Sequence, residues 1–182
     1  MAAARADSMR RPYTRADIHF MTAMIGHHAQ AIEMARMAES HGAGQQVQIL
    51  AERIVNAQRD EIRTMRTWLA DRGQPVPDAD GSTPGHGTSH GQHAMATGML
   101  TQTQMQQLDD AHGEAFDVLF LRYMIQHHRG AVQMVDELFG SYGAGQDEIV
   151  FKLASDVNVD QITEIERMQR MLTARLLAAD QP

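Results

Sequence analysis

The chain has 182 residues, 43% of them hydrophobic, and a formal net charge of −7 at pH 7, which allows one domain with a substantial core. The negative charge, without a concentrated Lys/Arg patch, excludes a typical nucleic-acid-binding surface. Cysteine is absent and no segment approaches the roughly eighteen apolar residues of a membrane span, which excludes disulfides, thiolate ligands and a transmembrane helix.

The first half of the chain predicts a helical hairpin. Helical periodicity runs over residues 14–40 and again over residues 45–70, while alternating β patterns are scarce throughout the sequence. A glycine-rich turn at residues 41–44 separates the two segments, and glycine supplies the left-handed conformation that commonly ends a helix.

A crossover and a second hairpin follow. Residues 71–98 are rich in Gly, Pro, Ser and His and are predicted to form a loop across the bundle. A capping box beginning at Thr101 predicts a short helix over residues 101–112. The second hairpin is predicted over residues 114–178, with a glycine-rich break at residues 142–145. We therefore expect an all-α fold in which the chain forms a single four-helix-bundle domain.

The two hairpins carry the same unusual motif one hundred residues apart. Residues 20–34 read FMTAMIGHHAQAIEM, and residues 120–134 read FLRYMIQHHRGAVQM. An internal repeat indicates a duplicated structural unit, and this one repeats methionines and histidines that an apolar core does not require. The shared residues are Phe20, Met24, Ile25, His27, His28, Ala31 and Met34 with Phe120, Met124, Ile125, His127, His128, Ala131 and Met134, extended upstream by Asp17 and Asp117.

The second helix of each hairpin has polar residues at positions predicted to face the core. A 4,3 spacing marks these positions, and it includes Gln58 and Glu61 in the first hairpin and Gln161 and Glu164 in the second. A buried carboxylate is costly unless it is paired or bound to a metal. Because the carboxylates recur at equivalent positions, we expect His, Asp or Met of the facing helix to be their partners.

Helix geometry brings the repeated residues together on one stripe. At about 100° per residue, Asp17, Met24 and His28 lie within about 40° of one another, with His27 on the other flank. Imidazole and thioether together suit copper better than hard or borderline ions. We therefore predict that the chain binds Cu(I) or Cu(II), with zinc as a surrogate. The predicted ligands are Met24, His27, His28, Met34, Glu61, Met65, Met124, His127, His128, Met134, Glu164 and Met168.

Accessory residues complete the predicted site. Asp17 and Asp117 are expected to orient an imidazole by hydrogen bonding, with Gln58 and Gln161 nearby. Since each half carries its own Asp, Met, His-His and Glu set, the spacing favours two pseudo-symmetric sites over one shared site. The crossover adds a tract that recruits metal ions without fixed geometry: His86, His90, His93, Met95 and Met99.

The same residues also have purely structural interpretations. A methionine on an apolar stripe is often core filler, and the loop histidines fit a solvated linker. The Gln and Glu pairs with the imidazoles fit a buried polar network that fixes helix register. Asp109 and His112 have the spacing of half a di-iron motif, but Glu-x-x-His, which such sites need twice, is absent from every predicted helix.

The motifs resemble the domain of unknown function 305 family. The resemblance rests on F-x3-M-I-x-H-H-x2-A-x2-M in both halves and on Q-x2-E-I-x2-M, which is residues 58–65 and again residues 161–168. It implies a ferritin-like four-helix bundle, and the family includes periplasmic copper-binding proteins of the CopM type. The family often has proline before the His-His pair, where this chain has Gly26 and Gln126.

Together these features predict an extracytoplasmic copper-binding protein, for copper storage, buffering, delivery or resistance, and not an enzyme. The absence of cysteine fits a periplasmic, secreted or surface-anchored protein, whose leader is expected to be absent from this sequence because its N-terminus lacks a signal-peptide core. The expected partners are the metal ion and a copper-delivering or copper-accepting protein. The alternatives are a carboxylate-bridged di-metal oxidoreductase and a metal-free helical interaction module whose histidines sense pH.

Overall fold

The computed structural model describes residues 13–78 and 97–179, and within these residues the chain forms five helices and no strand. The all-α prediction is confirmed. None of the described helices is long and apolar enough to cross a lipid bilayer. The helices are α1 (Arg15–Ser40), α2 (Gln45–Ala70), α3 (Gln102–Asp110), α4 (Gly113–Gly140) and α5 (Glu148–Ala179).

Reciprocal capping boxes begin two of the helices. The Thr14 hydroxyl accepts a hydrogen bond from the Asp17 backbone N–H, and the Asp17 carboxylate accepts one from the Thr14 backbone N–H. Thr101 and Gln104 form the same arrangement at the start of α3. Each box satisfies N–H groups that have no partner within the helix.

Two helix boundaries, the end of α3 and the start of α5, differ by two residues from the predicted residues 112 and 146. The short helix α3 ends at Asp110, because the backbone of Ala111 is extended and turns the chain toward α4. The last helix begins at Glu148, because the Asp147 carboxylate accepts a hydrogen bond from the Ile149 N–H at 3.0 Å and so caps the new helix.

Asp147 also ties the two hairpins together at this end of the bundle. Its carboxylate accepts hydrogen bonds from Trp68 Nε1 at 3.0 Å and from Arg72 Nη2 at 2.5 Å. Burial raises the pKa of Asp147, but the hydrogen bonds from Trp68 and Arg72 outweigh burial and hold that pKa below its ordinary value. The carboxylate is therefore charged at neutral pH, and it links the end of α2 to the start of α5.

The apolar core consists of two clusters, one toward each end of the bundle. The helices of each hairpin pack extensively on each other, and α1 packs on α4 between the hairpins. We name the clusters after Trp68 and Phe116. The Trp68 cluster includes Phe20, Met21, Met24, Ile25, Ile62, Met65, Trp68, Leu69, Met134, Val135, Leu138, Val150 and Val157. The Phe116 cluster includes Met34, Val47, Leu50, Ile54, Leu108, Phe116, Phe120, Leu121, Met124, Ile125 and Met168.

Asp17 and Asp117 hold the turn of the opposite hairpin. Asp17 Oδ1 accepts a hydrogen bond from the Gly145 N–H at 2.7 Å, and Asp117 Oδ1 accepts one from the Gly44 N–H at 3.1 Å. Asp117 also accepts a hydrogen bond from Arg175 Nη2 at 2.6 Å. The prediction that these carboxylates orient an imidazole is therefore wrong. The reason is that both lie near the start of their helices, beside the facing turn.

We expect Asp17→Ala to lower the free energy of unfolding by about 3 kcal/mol, because a charged hydrogen bond is lost and the Gly145 N–H stays buried without a partner. Chemical unfolding followed by circular dichroism measures the change. The exposed Asp136, replaced by alanine, is the control and should have little effect. Metal affinity that falls while stability is unchanged would contradict this structural role for Asp17.

Candidate metal centre

Four buried imidazoles form a row through the middle of the bundle. His27 and His28 come from α1, His127 and His128 come from α4, and all four are fully buried. The ring centroids of His28 and His27 are 6.5 Å apart, those of His27 and His127 are 3.8 Å apart, and those of His127 and His128 are 6.3 Å apart. Adjacent helical residues point about 100° apart. One histidine of each pair therefore faces the other hairpin, and its neighbour faces its own.

A glutamate contacts each outer imidazole of the row. Glu61 Oε2 on α2 lies 2.7 Å from His28 Nε2, and Glu164 Oε2 on α5 lies 2.8 Å from His128 Nε2. The side chains of Glu61 and Glu164 are 15% and 18% exposed, whereas the imidazoles are not exposed at all. The predicted inward orientation of both glutamates is thus seen, and each one connects a buried ring to the surface.

Each imidazole in the row has an Nδ1 atom without a hydrogen-bond partner. His27 Nε2 donates to the Thr97 carbonyl at 3.2 Å, and His128 Nε2 donates to Glu164. In the neutral form of these two rings, Nδ1 consequently carries a free lone pair. His127 has no partner at either nitrogen. A buried polar atom without a partner is costly, and these nitrogens have lone pairs that could bind a metal ion.

The glutamines add to the unpartnered polar atoms. Both side-chain amide atoms of Gln58 and the Oε1 atom of Gln161 are buried without a hydrogen bond. The structural alternative of a fully satisfied Gln, Glu and His network therefore does not describe this arrangement. The amides lie one helical turn before the glutamates, on the same faces of α2 and α5.

Burial keeps the two central imidazoles neutral. It lowers the pKa of His27 to about 3. Repulsion from His28 and His128 also lowers this pKa, whereas the hydrogen bond to the Thr97 carbonyl raises it. Burial, followed by repulsion from the other three imidazoles, also lowers the pKa of His127 well below its ordinary value. Neutral imidazole is the form that binds metals, so protons do not compete at these rings near neutral pH.

The six predicted methionine ligands lie in the two apolar clusters beside the row, and all are buried. Met24 and Met65 of the first hairpin share the Trp68 cluster with Met134 of the second. The Phe116 cluster has the reciprocal set of Met124, Met168 and Met34. Met34 and Met134 therefore each lie with the methionines of the other hairpin, and whether the chain holds two sites stays a prediction.

A short segment covers the middle of the row. This segment, residues 97–100, is called the strap. Besides the His27 contact, the Gln30 side chain pairs with both backbone groups of Leu100, at 2.7 and 3.0 Å. Gly98 has a left-handed φ of +84°, and a Cβ atom on Gly130 of α4 would lie only 1.9 Å from the Thr97 carbonyl oxygen. Gly130 therefore permits the strap to approach. Sequence analysis missed this role, although glycine within a predicted helix was an available signal.

The remaining predicted residues are not part of the row. His86, His90, His93 and Met95 lie outside the described residues, and Met99 is a half-buried residue of the strap. Within residues 13–78 and 97–179, no group of three or more His, Cys, Asp or Glu side chains is arranged to hold a metal ion. A metal bound at the row would therefore need thioether or amide ligands, or a rearrangement of side chains.

Asp109 and His112 belong to a different contact. His41 Nε2 lies 2.8 Å from the Asp109 carbonyl oxygen and 3.1 Å from its Oδ1 atom. The His112 ring stacks on His41 with a centroid separation of 4.8 Å. Asp109 and His112 therefore both contact His41. These contacts join the end of α1 to the junction of α3 and α4, and they are not the arrangement of a di-iron site.

The chain matches the sequence profile of one protein family, described as Domain of unknown function (DUF305), over residues 17–172. A DUF305 fragment from Deinococcus radiodurans is 31% identical, with a TM-score of 0.74, and the match covers 90% of this chain and 99% of that one. A DUF305 protein from Streptomyces coelicolor, described as a candidate secreted protein, is 27% identical with a TM-score of 0.72, covering 88% and 93%. No curated protein matches the chain significantly.

CopM is also similar in structure. Its Cu(II)-bound form is 30% identical to this chain with a TM-score of 0.68, and the match covers 87% of this chain and 96% of CopM. CopM has further been solved with Cu(I), with silver and without metal. These matches extend over both hairpins and hence over both copies of the repeated motif.

We expect His27 to make the metal-free protein sensitive to acid. The unfolded side chain binds a proton near pH 6.5, but the folded one stays neutral down to about pH 3, so acid favours the unfolded state between these values. This residue should cost about 2 kcal/mol of stability between pH 7 and pH 5. Between pH 7 and pH 5, the His27→Gln variant should therefore lose about 2 kcal/mol less stability than the wild type. His19→Gln, at an exposed position, serves as the control. Equal pH dependence in all three proteins would contradict the low pKa of His27.

We expect Gly130→Ala to displace the strap and lower the free energy of unfolding by about 1–2 kcal/mol, because overpacking outweighs the helix propensity of alanine. Hydrogen exchange should show faster exchange at the Leu100 amide. Gly140→Ala, in the same helix with open space around it, is the matched control. Equal stabilisation of both variants would disprove the close approach of the strap.

Proposed function

The chain belongs to the DUF305 family, and we propose that it binds copper for storage, buffering or delivery outside the cytoplasm. One observation carries this proposal: the buried row contains four imidazoles, each with an unpartnered Nδ1 atom. Buried methionines flank the row on both sides. Imidazole and thioether are ligands that copper accepts readily.

The composition of the ligand set favours copper over zinc. Protein zinc sites usually hold four tetrahedral ligands drawn from Cys, His and carboxylates, whereas the described residues offer no group of three such side chains arranged for a metal. Thioether ligands select Cu(I) among the common metals. CopM, with 30% identity, has been solved with Cu(II) and also with Cu(I), which supports copper for this chain too.

We assign separate roles to the inner and outer imidazoles. Glu164 accepts a hydrogen bond from His128 Nε2, which leaves Nδ1 of that ring available and raises its basicity as a ligand, and Glu61 Oε2 lies 2.7 Å from His28 Nε2. The inner rings remain neutral because they are buried. The two His-Glu pairs support two equivalent sites, each completed by methionines from both hairpins.

The proposed role is binding and transfer, without catalysis. Each described glutamate of the row contacts one imidazole, and no third carboxylate or histidine joins the pair to form a di-metal ligand set. A location outside the cytoplasm is supported by the absence of cysteine and by the similarity to the Streptomyces coelicolor protein. A copper-delivering or copper-accepting protein is the partner that this role requires.

Copper titration of the metal-free protein tests the proposal. We expect the protein to withdraw Cu(I) from a chromogenic chelator and to prefer it to Zn(II) because of its thioether ligands, with bound ions counted by native mass spectrometry. His28→Ala should remove about half of the copper bound by the bundle, since the His128 site remains. The test uses a background in which His86, His90 and His93 are replaced by alanine.

His19→Ala, at an exposed position, is the matched control and should bind normally. Loss of nearly all copper in His28→Ala would indicate one shared site. If the triple loop variant binds no copper at all, the row is structural and the proposed function is wrong.

A further inference from the structure

The His28–Glu61 pair lies beside an open groove between α2 and α5. These two helices pack mainly on their own hairpin partners, and a cavity of about 610 Å³ remains between them. Glu61 is part of the cavity wall, so the carboxylate that contacts the buried His28 also faces the groove. The other polar wall residues are Asp60, Thr64, Glu148, Lys152, Asp156 and Asp160.

The groove carries negative charge that its own cations do not neutralise. Lys152 pairs with Asp156, and Asp60 pairs with Arg63. Among the described residues, Asp160 has no ion pair. Burial, followed by repulsion from Glu61, Glu164 and then Asp156, raises its pKa, against an opposing effect of Arg53. Asp160 shares the groove wall with Glu61 and lies one helical turn before Glu164 on α5, so it is within electrostatic range of both glutamates.

A buried imidazole contacts the wall of this groove. His28 Nε2 is fully buried and lies 2.7 Å from Glu61 Oε2, yet the two groups lack the alignment of a hydrogen bond. One turn before Glu61, the buried Gln58 has no partner at either amide atom. A cation that reaches Glu61 from the groove would thus meet the unpartnered Nε2 atom of His28.

We propose that the groove between α2 and α5 is the route by which metal cations reach the row, with Asp160 as a charge shared by both halves. The proposal rests on the proposed copper function. Negative charge in a cleft concentrates cations there. A single carboxylate binds copper more weakly than imidazole and thioether do together, so Glu61 passes the ion inward and does not retain it. The strap contacts the row at His27, through the Thr97 carbonyl, and is not part of this route.

The rate of copper uptake tests this route. Trp68 is the only tryptophan and packs with Met24 and Met65, so quenching of its fluorescence after rapid mixing with Cu(II) reports arrival of the ion. Asp160→Asn should slow uptake by about three- to tenfold and weaken its dependence on salt. The amount of copper bound at equilibrium, counted by native mass spectrometry, should not change.

Two variants serve as controls. Asp136→Asn removes the same charge from an exposed position of α4 and should leave the rate near that of the wild type, and Asp160→Glu, which keeps the charge, should do the same. Equal rates for Asp160→Asn and wild type, or equal slowing by Asp136→Asn, would overturn the route while leaving copper binding intact. A wild-type protein that takes up no copper would overturn both proposals.

Discussion

The structure depends on burying four imidazoles in one row at the contact of α1 and α4. Polar groups inside a core must find partners or pay a desolvation cost, and here each ring has a nitrogen without a partner. The apolar clusters on either side supply the stabilisation that makes this arrangement possible. The same burial keeps His27 and His127 neutral. Under the proposed function, these neutral rings with unpartnered nitrogens are the groups that bind the metal.

The two halves of the duplicated chain are related by symmetric contacts, in which side chains of each hairpin pack against the other hairpin. Asp17 and Asp117 each bind the turn of the opposite hairpin, and Met34 and Met134 each join the other half's methionines. Neither hairpin therefore holds a complete site alone. The row forms only when the halves dock, so folding and formation of the proposed ligand set are coupled.

The two sides of the row differ in access. On one side, the strap lies close against α4 and binds His27, and a side chain at Gly130 would clash with it. On the other side, the glutamates are partly exposed, and Glu61 lines an acidic groove. Under the proposed function, this asymmetry gives the buried imidazoles and methionines access to solvent on one side only. In that proposal, the carboxylates attract the cation, and the thioethers and imidazoles bind it more strongly.

The sequence alone determined the helices, the duplicated hairpins and the inward face of each helix, because these follow from local periodicity and capping. It also identified the His-His pairs and their glutamates, since polar residues at core positions require partners. Tertiary structure alone decided which faces meet. The hydrogen bond of Asp17 with Gly145, the exchange of Met34 and the contact of Thr97 with His27 all join segments that are distant in the chain. Helical periodicity describes one helix at a time, so it cannot specify which residue of another helix or loop lies opposite.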